Sequence, residues 1–284
     1  MQRLRIKHVT EYHYPAEVTL NQHKLLLRPR EGHDVRIESS KLEISPAYSI
    51  QWQRDVFDNS MAIVNFVTPS PKLIIHSEVI IQHYEQAPND FSPVHASVHY
   101  PLSYGVHEQL DLAAFQTPVY LSDQPSVHNW LLQFNLHDME AYSLLVLLNQ
   151  SISRQFRYQV RHEIGVQRPA VTLTKMSGSC RDYATLLIEA CRYLGLASRF
   201  VSGYLHAPAT EVGNATTHAW VEVYFPKSGW QGFDPTSGEV VGNRHIAVAV
   251  ARDPETVSPV SGSFVGLGIM VPLMVVNVQV NLIK

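Results

Sequence analysis

The sequence predicts an α+β protein, in which an antiparallel, sandwich-like β domain precedes a domain built from a central helix on an antiparallel sheet. Three observations carry that prediction. Residues 1 to about 100 break into short runs of alternating polarity separated by turn clusters, the period-2 signature of strands. Helical periodicity begins only near residue 126. Beyond residue 195 the pattern returns to strands, so helices come first and the sheet after, not alternating as in βαβ units.

The first domain, residues 1–105, is read from the runs RLRIKHVTEYHY, KLLLRP, RIESSKLEISP, SIQWQRDVF, AIVNFVTP and KLIIHSEVIIQHY. Turns fall at Pro29 to His33, Ser45 to Tyr48, Asp58-Asn59-Ser60 and Pro69-Ser70-Pro71, where Pro, Asn, Asp and Ser favour chain reversal. From Ala87 to Pro125 the chain is irregular and rich in Pro, Ser and His, which reads as an ordered connector, with residues 106–125 separating the domains. The second domain, residues 126–284, opens with SVHNWLLQF, where Ser126 is placed to cap, and continues through the helical AYSLLVLLNQSISRQFRY. A helix from Cys180 to Leu194, closed by Gly195, is central, with Leu187, Cys191 and Leu194 at i, i+4, i+7. SRFVSGYL, HAWVEVYF, GWQGFDPT, HIAVAVARD and MVPLMVVNVQVNLI then supply the sheet of the same domain.

Composition narrows the function. An apolar content of 45% in 284 residues supports folded cores rather than disorder. A net charge of −3 and the absence of any long Lys/Arg run argue against a nucleic-acid partner. The stretch Ile269 to Val278 is too short for a membrane helix and contains Pro272 and Asn277, so no membrane partner is expected. The N-terminal MQRLRIKHVTEYHY lacks an apolar h-region, which places the expected location in the cytoplasm. Cys180 and Cys191 lie eleven residues apart on one helix, a rise of about 16 Å against a limit of ~7 Å for a disulfide. Two unpaired thiols suit a reducing compartment, and Cys191 reads as a core residue.

The chemistry centres on SGSCRDYATLLIEACRYLGL, which sets Cys180 at the junction of a Ser/Gly turn and a helix. Free N–H groups and the positive end of the dipole favour a thiolate there and offer donors to an oxyanion. Acyl transfer further needs a base and a group to orient it. His218 in THAWVEVYF and Asp234 in GWQGFDPTSG are the expected supply. If the two segments form a hairpin about Pro226 to Gly229, His218 and Asp234 come side by side. Asp182, two residues past the cysteine, points away from it and is expected to cap the helix or offset its dipole. Trp220, Trp230, Tyr204 and Tyr224 are expected in the core and cleft walls. His95 and His99 stand at i, i+4 without HExxH or a helical pattern, so no metal is expected there.

GSCRDYATLLIEACRYLGLASRFVSGYL, HAWVEVYFPKSGWQGFDPTSG and the order Cys, His, Asp resemble bacterial members of the transglutaminase-like superfamily, a papain-related group of cysteine enzymes. LNQHKLLLRPR, DVFDNS and KLIIHSEV are similar to the β-rich N-terminal region that accompanies this core. The resemblance implies a papain/transglutaminase-like core, a nucleophile at Cys180, a base at His218 and an orienting carboxylate at Asp234. It implies a cysteine protease or amide hydrolase acting on peptide or isopeptide amides through a thioester, with a peptide or protein as substrate and no cofactor. The same triad serves transglutamination, and the absence of DxDxDG loops makes calcium-dependent cross-linking the poorer fit. The oxyanion is expected to meet the Cys180 N–H and a second donor at Tyr158 or Gln159. A non-catalytic assembly module is the third reading, and the intact triad counts against it.

Overall fold

The computed structural model describes residues 1–84, 98–136, 139–161, 163–206, 217–268 and 271–283. Six strands open the chain: β1 (Gln2–Leu20), β2 (His23–Leu25), β3 (Val35–Ser45), β4 (Tyr48–Arg54), β5 (Ser60–Phe66) and β6 (Ser70–His83). Their alternation is visible in burial, since Leu4, Ile6, His8 and Thr10 on β1 point inward while the residues between them are partly exposed.

Helices follow: α1 (Val106–Gln116), α2 (Gln124–Leu131) and α3 (Ala141–Gln155). After them come β7 (Arg157–Tyr158), α4 (Pro169–Lys175), β8 (Ser177–Gly178) and α5 (Cys180–Tyr193). The closing strands are β9 (Ser198–Leu205), β10 (Thr217–Phe225), β11 (Gly229–Asp234), β12 (Glu239–Val240), β13 (His245–Ala251), β14 (Val260–Ser261), β15 (Phe264–Val265) and β16 (Leu273–Leu282). The architecture is the predicted α+β one, with antiparallel sheets and a central helix packed on the second of them.

The N-terminal part is a sandwich. One sheet joins β3, β6 and β1, with β15 and β16 on the outer side of β1, and the other runs β14-β2-β5-β4. Tyr14, Val18, Leu25, Ala62, Val64, Leu73 and Ile75 fill the space between them. In the core domain β12-β11-β10-β9-β13 form an antiparallel sheet. Helix α5 lies against it, with every residue from Asp182 to Arg192 buried.

Two boundaries differ from the sequence expectation. Residues 106–125 are not a separate connector: α1 occupies half of them, and α2 starts at Gln124, with Asp123 at the cap position and Ser126 inside the helix. The physical reason is a buried ion pair on α5. Glu189 accepts the backbone N–H groups of Val119 and Tyr120, and its partner Arg192 donates to the carbonyls of Phe115, Ser198 and Arg252. Both charges are thereby hydrogen-bonded as burial requires, and residues 106–125 are tied to the central helix. Residues 87–97 of the expected connector, including His95, lie outside the described residues.

The second difference concerns the end of the chain. β14, β15 and β16 belong to the sandwich, not to the sheet of the second domain: β16 pairs with β1 from Leu4↔Leu282 to His13↔Leu273. Val278 and Val280 bury beside His8 and Ile6, on the inward face of β1. A period-2 pattern specifies a strand but not its sheet.

The sandwich and the sheet of the second domain share one continuous core, which runs from Leu4, Ile6, Val79 and Ile81 to Leu144, Leu187, Tyr204 and Val221. β13 is the edge of that second sheet, and polar groups of the sandwich cover that edge. Arg30 N–H donates to Ala247 O, and the Asn59 side chain bonds both the N–H and the carbonyl of Val250. Asp55 in turn fixes Asn59 by accepting its backbone and side-chain N–H groups. The DVFDNS and LLLRPR segments therefore seal a sheet edge that would otherwise be left with unpaired backbone groups.

Candidate active site

Cys180 is the first residue of α5, and the turn before it is built for that position. Ser179 donates its N–H and its hydroxyl to the Asp182 carboxylate, each at 2.8 Å. The other Asp182 oxygen accepts from Arg161 and from the Gln167 N–H, both at 2.6 Å. Asp182 thus caps the helix, as expected, and holds Arg161 and Gln167 beside it. Glycine is required at 178 because a Cβ there would lie 2.9 Å from Asp182 Cβ.

Cys180 is partly exposed, whereas Cys191 is fully buried and burial pushes its thiol up to about 12. Only Cys180 sits where a substrate can reach it. Its N–H is among the first donors of the helix, which have no carbonyl one turn back.

His218 and Asp234 come together through the predicted hairpin. β10 pairs with β11 from Phe225↔Gly229 to Val221↔Phe233, which places Asp234 beside Trp220 and diagonal to His218. His218 Nε2 donates to Asp234 Oδ2 at 2.8 Å, and Cys180 lies near enough to the ring to favour its protonated form. With Nε2 taken by the carboxylate, Nδ1 is the nitrogen left for a proton exchanged with the thiol. Burial lowers the basicity of His218, but the bond to Asp234 and the nearness of Cys180 outweigh it and raise the imidazole to about 10. Burial likewise raises the carboxyl of Asp234, and hydrogen bonds from His218 and His245 overcome this, holding it well below the usual carboxylate range. Its remaining oxygen accepts the Thr236 N–H at 2.9 Å.

One member of this cluster was not legible in the sequence. His245, on β13, brings its Nε2 to 3.2 Å from Asp234 Oδ2. It opens the run HIAVAVARD and is one of 15 histidines, so nothing in the local pattern marks it. The donor atoms of His218, Asp234 and His245 lie within 4.8 Å of one another, close enough to consider a metal. Hydrogen bonds of 2.8 and 3.2 Å account for that closeness with protons alone.

Trp220 is fully buried between His218 and His245, with ring centroids 6.3 and 5.2 Å away. Its indole fills the space left by Gly203, where a Cβ would come within 2.5 Å of the ring and 2.3 Å of Ile246 O. Tyr204 is buried, as expected, and its hydroxyl donates to Leu27 O of the sandwich. Trp230 carries the Arg199 guanidinium 4.0 Å over its ring. A cleft of about 880 Å³, lined by Arg30, Asp34, Glu222, Trp230, Trp220 and His245 among others, runs between the sandwich and the sheet.

Of the two expected oxyanion donors, the Gln159 N–H is already bonded to Gly178 O at 2.8 Å and is not free for the role. Tyr158 is half exposed beside the site, its hydroxyl pushed up to about 12 by partial desolvation and by the proximity of Cys180. It therefore keeps its proton at neutral pH. His99 lies in an isolated bridge to Glu140, remote in sequence from any of these residues. Among the described residues no helix is long and apolar enough to cross a membrane.

A helix-borne cysteine, with a strand-borne histidine and a carboxylate behind it, is the arrangement of a transglutaminase-like core. The family model of the transglutaminase-like superfamily matches residues 134–235, and that of the bacterial transglutaminase-like N-terminal region matches residues 4–82. Over these two stretches the chain is similar to this superfamily and to the N-terminal region that accompanies it. An uncharacterized protein of Mycobacterium tuberculosis is 29% identical over 92% of this chain and 87% of its own length. A crystal structure of a candidate cysteine protease from Cytophaga hutchinsonii shares the fold, with a TM-score of 0.75 at 17% identity over 100% of this chain and 91% of that one. A protein-glutamine gamma-glutamyltransferase of Pseudomonas aeruginosa is 36% identical over 66 residues, 21% of this chain and 10% of its own.

Proposed function

We propose that this protein is a cysteine-dependent amide hydrolase that cleaves peptide or isopeptide bonds with Cys180 as nucleophile, His218 as acid and base, and Asp234 as the orienting carboxylate. The observation that carries the reading is the His218–Asp234 bond of 2.8 Å, formed near Cys180 at the start of α5.

In this mechanism the thiolate attacks the amide carbonyl carbon, forming the C–S bond while the carbonyl electrons move to oxygen. The oxyanion receives the Cys180 N–H at the helix start and the Tyr158 hydroxyl. Collapse breaks the C–N bond, the nitrogen takes the proton from His218 Nδ1, and the amine departs. Water then gives a proton to Nδ1 as it attacks the thioester, and a carboxylic acid leaves with the thiolate restored.

A second reading keeps the same steps but replaces water with a lysine amine, giving an isopeptide. The matched segment of the Pseudomonas aeruginosa gamma-glutamyltransferase favours it.

The test is alkylation by iodoacetamide from pH 4 to 9, with adducts mapped by mass spectrometry. Cys180 is expected to label first and well below pH 8, and His218→Ala to abolish that preference. Equal, slow labelling of Cys180 and Cys191 with an ordinary thiol profile rejects the enzyme reading. Incubation with a glutamine-containing peptide library and a labelled primary amine separates the two acceptors, because incorporated label excludes hydrolysis as the sole activity.

A further inference from the structure

We infer that His245 is a positioning residue of this site, a fourth member that locks the Asp234 carboxylate in the orientation His218 requires. The inference rests on the Cys180–His218–Asp234 reading above.

The geometry is specific. Asp234 Oδ2 receives two imidazole N–H groups, from His218 at 2.8 Å and from His245 at 3.2 Å, while Oδ1 receives Thr236 N–H at 2.9 Å. The carboxylate therefore has no freedom to rotate about its own axis without losing a bond. His245 is itself fixed: Gly242 N–H donates to its Nδ1 at 3.4 Å. A nitrogen that accepts a bond carries a lone pair, so the ring proton sits on Nε2, where it meets Asp234. Trp220 closes against the ring edge-on at 5.2 Å.

Backbone structure aims the ring. β13 pairs with β9 through a register shift between Ala247 and Ala249. Ala249 and Ala251 join the core shared with α5, whereas Val250 and Ala247 pack with Trp220 on the other face. In an unbroken strand residues 245, 247, 249 and 251 would all point to one face. The extra residue transfers Ala247 and His245 to the face of Trp220, and without it His245 would point away from Asp234. Bulges that re-aim one side chain are a recurrent device beside active sites.

The titratable and charged groups around the pair are His218 from β10, Cys180 from α5 and Tyr158 from β7, which sense Asp234 or its partner, and His83 from β6, which faces His245. The neighbouring Arg244 is engaged with Glu239. Among the described residues, no group besides His218 and His245 donates a hydrogen bond to Asp234 Oδ2.

The experiment compares His245→Gln, which retains an N–H donor, with His245→Ala and His245→Met, which do not. Each is followed by the pH profile of Cys180 alkylation, by kcat and KM on any cleaved peptide, and by thermal unfolding. His245→Ala and His245→Met are expected to slow Cys180 alkylation at pH 6 by about tenfold or more and to shift its lower limb toward that of an ordinary thiol. That is the scale on which partners one step removed from a reacting group act. His245→Gln is expected to stay within about threefold of the parent and to affect kcat, not KM. If all three variants keep the parent profile and lose only thermal stability, or if Gln fails as badly as Met, the inference is wrong. An unfolded Ala variant leaves the Gln–Met comparison to decide. If the parent itself shows no preference for Cys180 over Cys191, the failure belongs to the proposed function, not to His245.

Discussion

His218 illustrates how a single side chain couples the site to stability. Its imidazole is raised from 6.5 to about 10, so the folded state holds a proton that the unfolded chain releases earlier. The sign follows directly: this contribution is complete below pH 6.5 and disappears as pH rises through about 10. Asp234 acts in the opposite sense, its depressed carboxyl adding stability above 3.8 that is lost as the solution is acidified. We expect the gap in urea midpoint between the parent and His218→Ala to be widest near pH 5–6 and to close toward pH 10. A gap that is flat across that range contradicts the raised imidazole. Cys180, His218 and Asp234 were all legible in the sequence, because each belongs to a local motif that fixes its place on a helix start or strand end. His245 was not, because its direction depends on a register shift that the run HIAVAVA does not betray.

At the level of elements, the hairpin of β10 and β11 could be foreseen from its turn and alternation, and α5 from its spacing and its Ser/Gly entry. The edge of β13 could not, since its partner is the Asn59 side chain, 191 residues away. Asn59 is fully buried and bonds both polar groups of Val250. Asn59→Ala leaves a buried N–H and a buried carbonyl unmatched, each costing about 1–3 kcal/mol. We expect chemical denaturation to show a loss of about 2–6 kcal/mol from the two groups together. A loss below about 1 kcal/mol means that water replaces the amide at this seam.

Across the whole molecule the order of elements in sequence differs from their order in space. The chain leaves the sandwich after β6, builds the second domain, and returns to lay β16 along β1. The region matched by the transglutaminase-like model, residues 134–235, is thus flanked by a scaffold made from both ends. A chain ending at residue 270 keeps the triad but removes Val278 and Val280, each at most 5% exposed. Two buried valines are worth about 3–6 kcal/mol, so unfolding of the shortened protein is expected on the order of 10 °C lower or more. An unchanged transition temperature shows that β16 is dispensable to the scaffold.

The sequence by itself determined the α+β class, the central helix, the cysteine at its N-terminus and the strand positions of the histidine and carboxylate. These are set by interactions within a few residues: periodic burial, capping and turn chemistry. Tertiary structure alone decided that β16 serves the sandwich, that residues 106–125 dock on α5 through Glu189 and Arg192, and that Asn59 seals β13. It alone brought His245 to Asp234. Each of those contacts joins distant parts of the chain through a polar group that needs a buried partner. Alternation and propensity state which groups must be paired, but not with which residue.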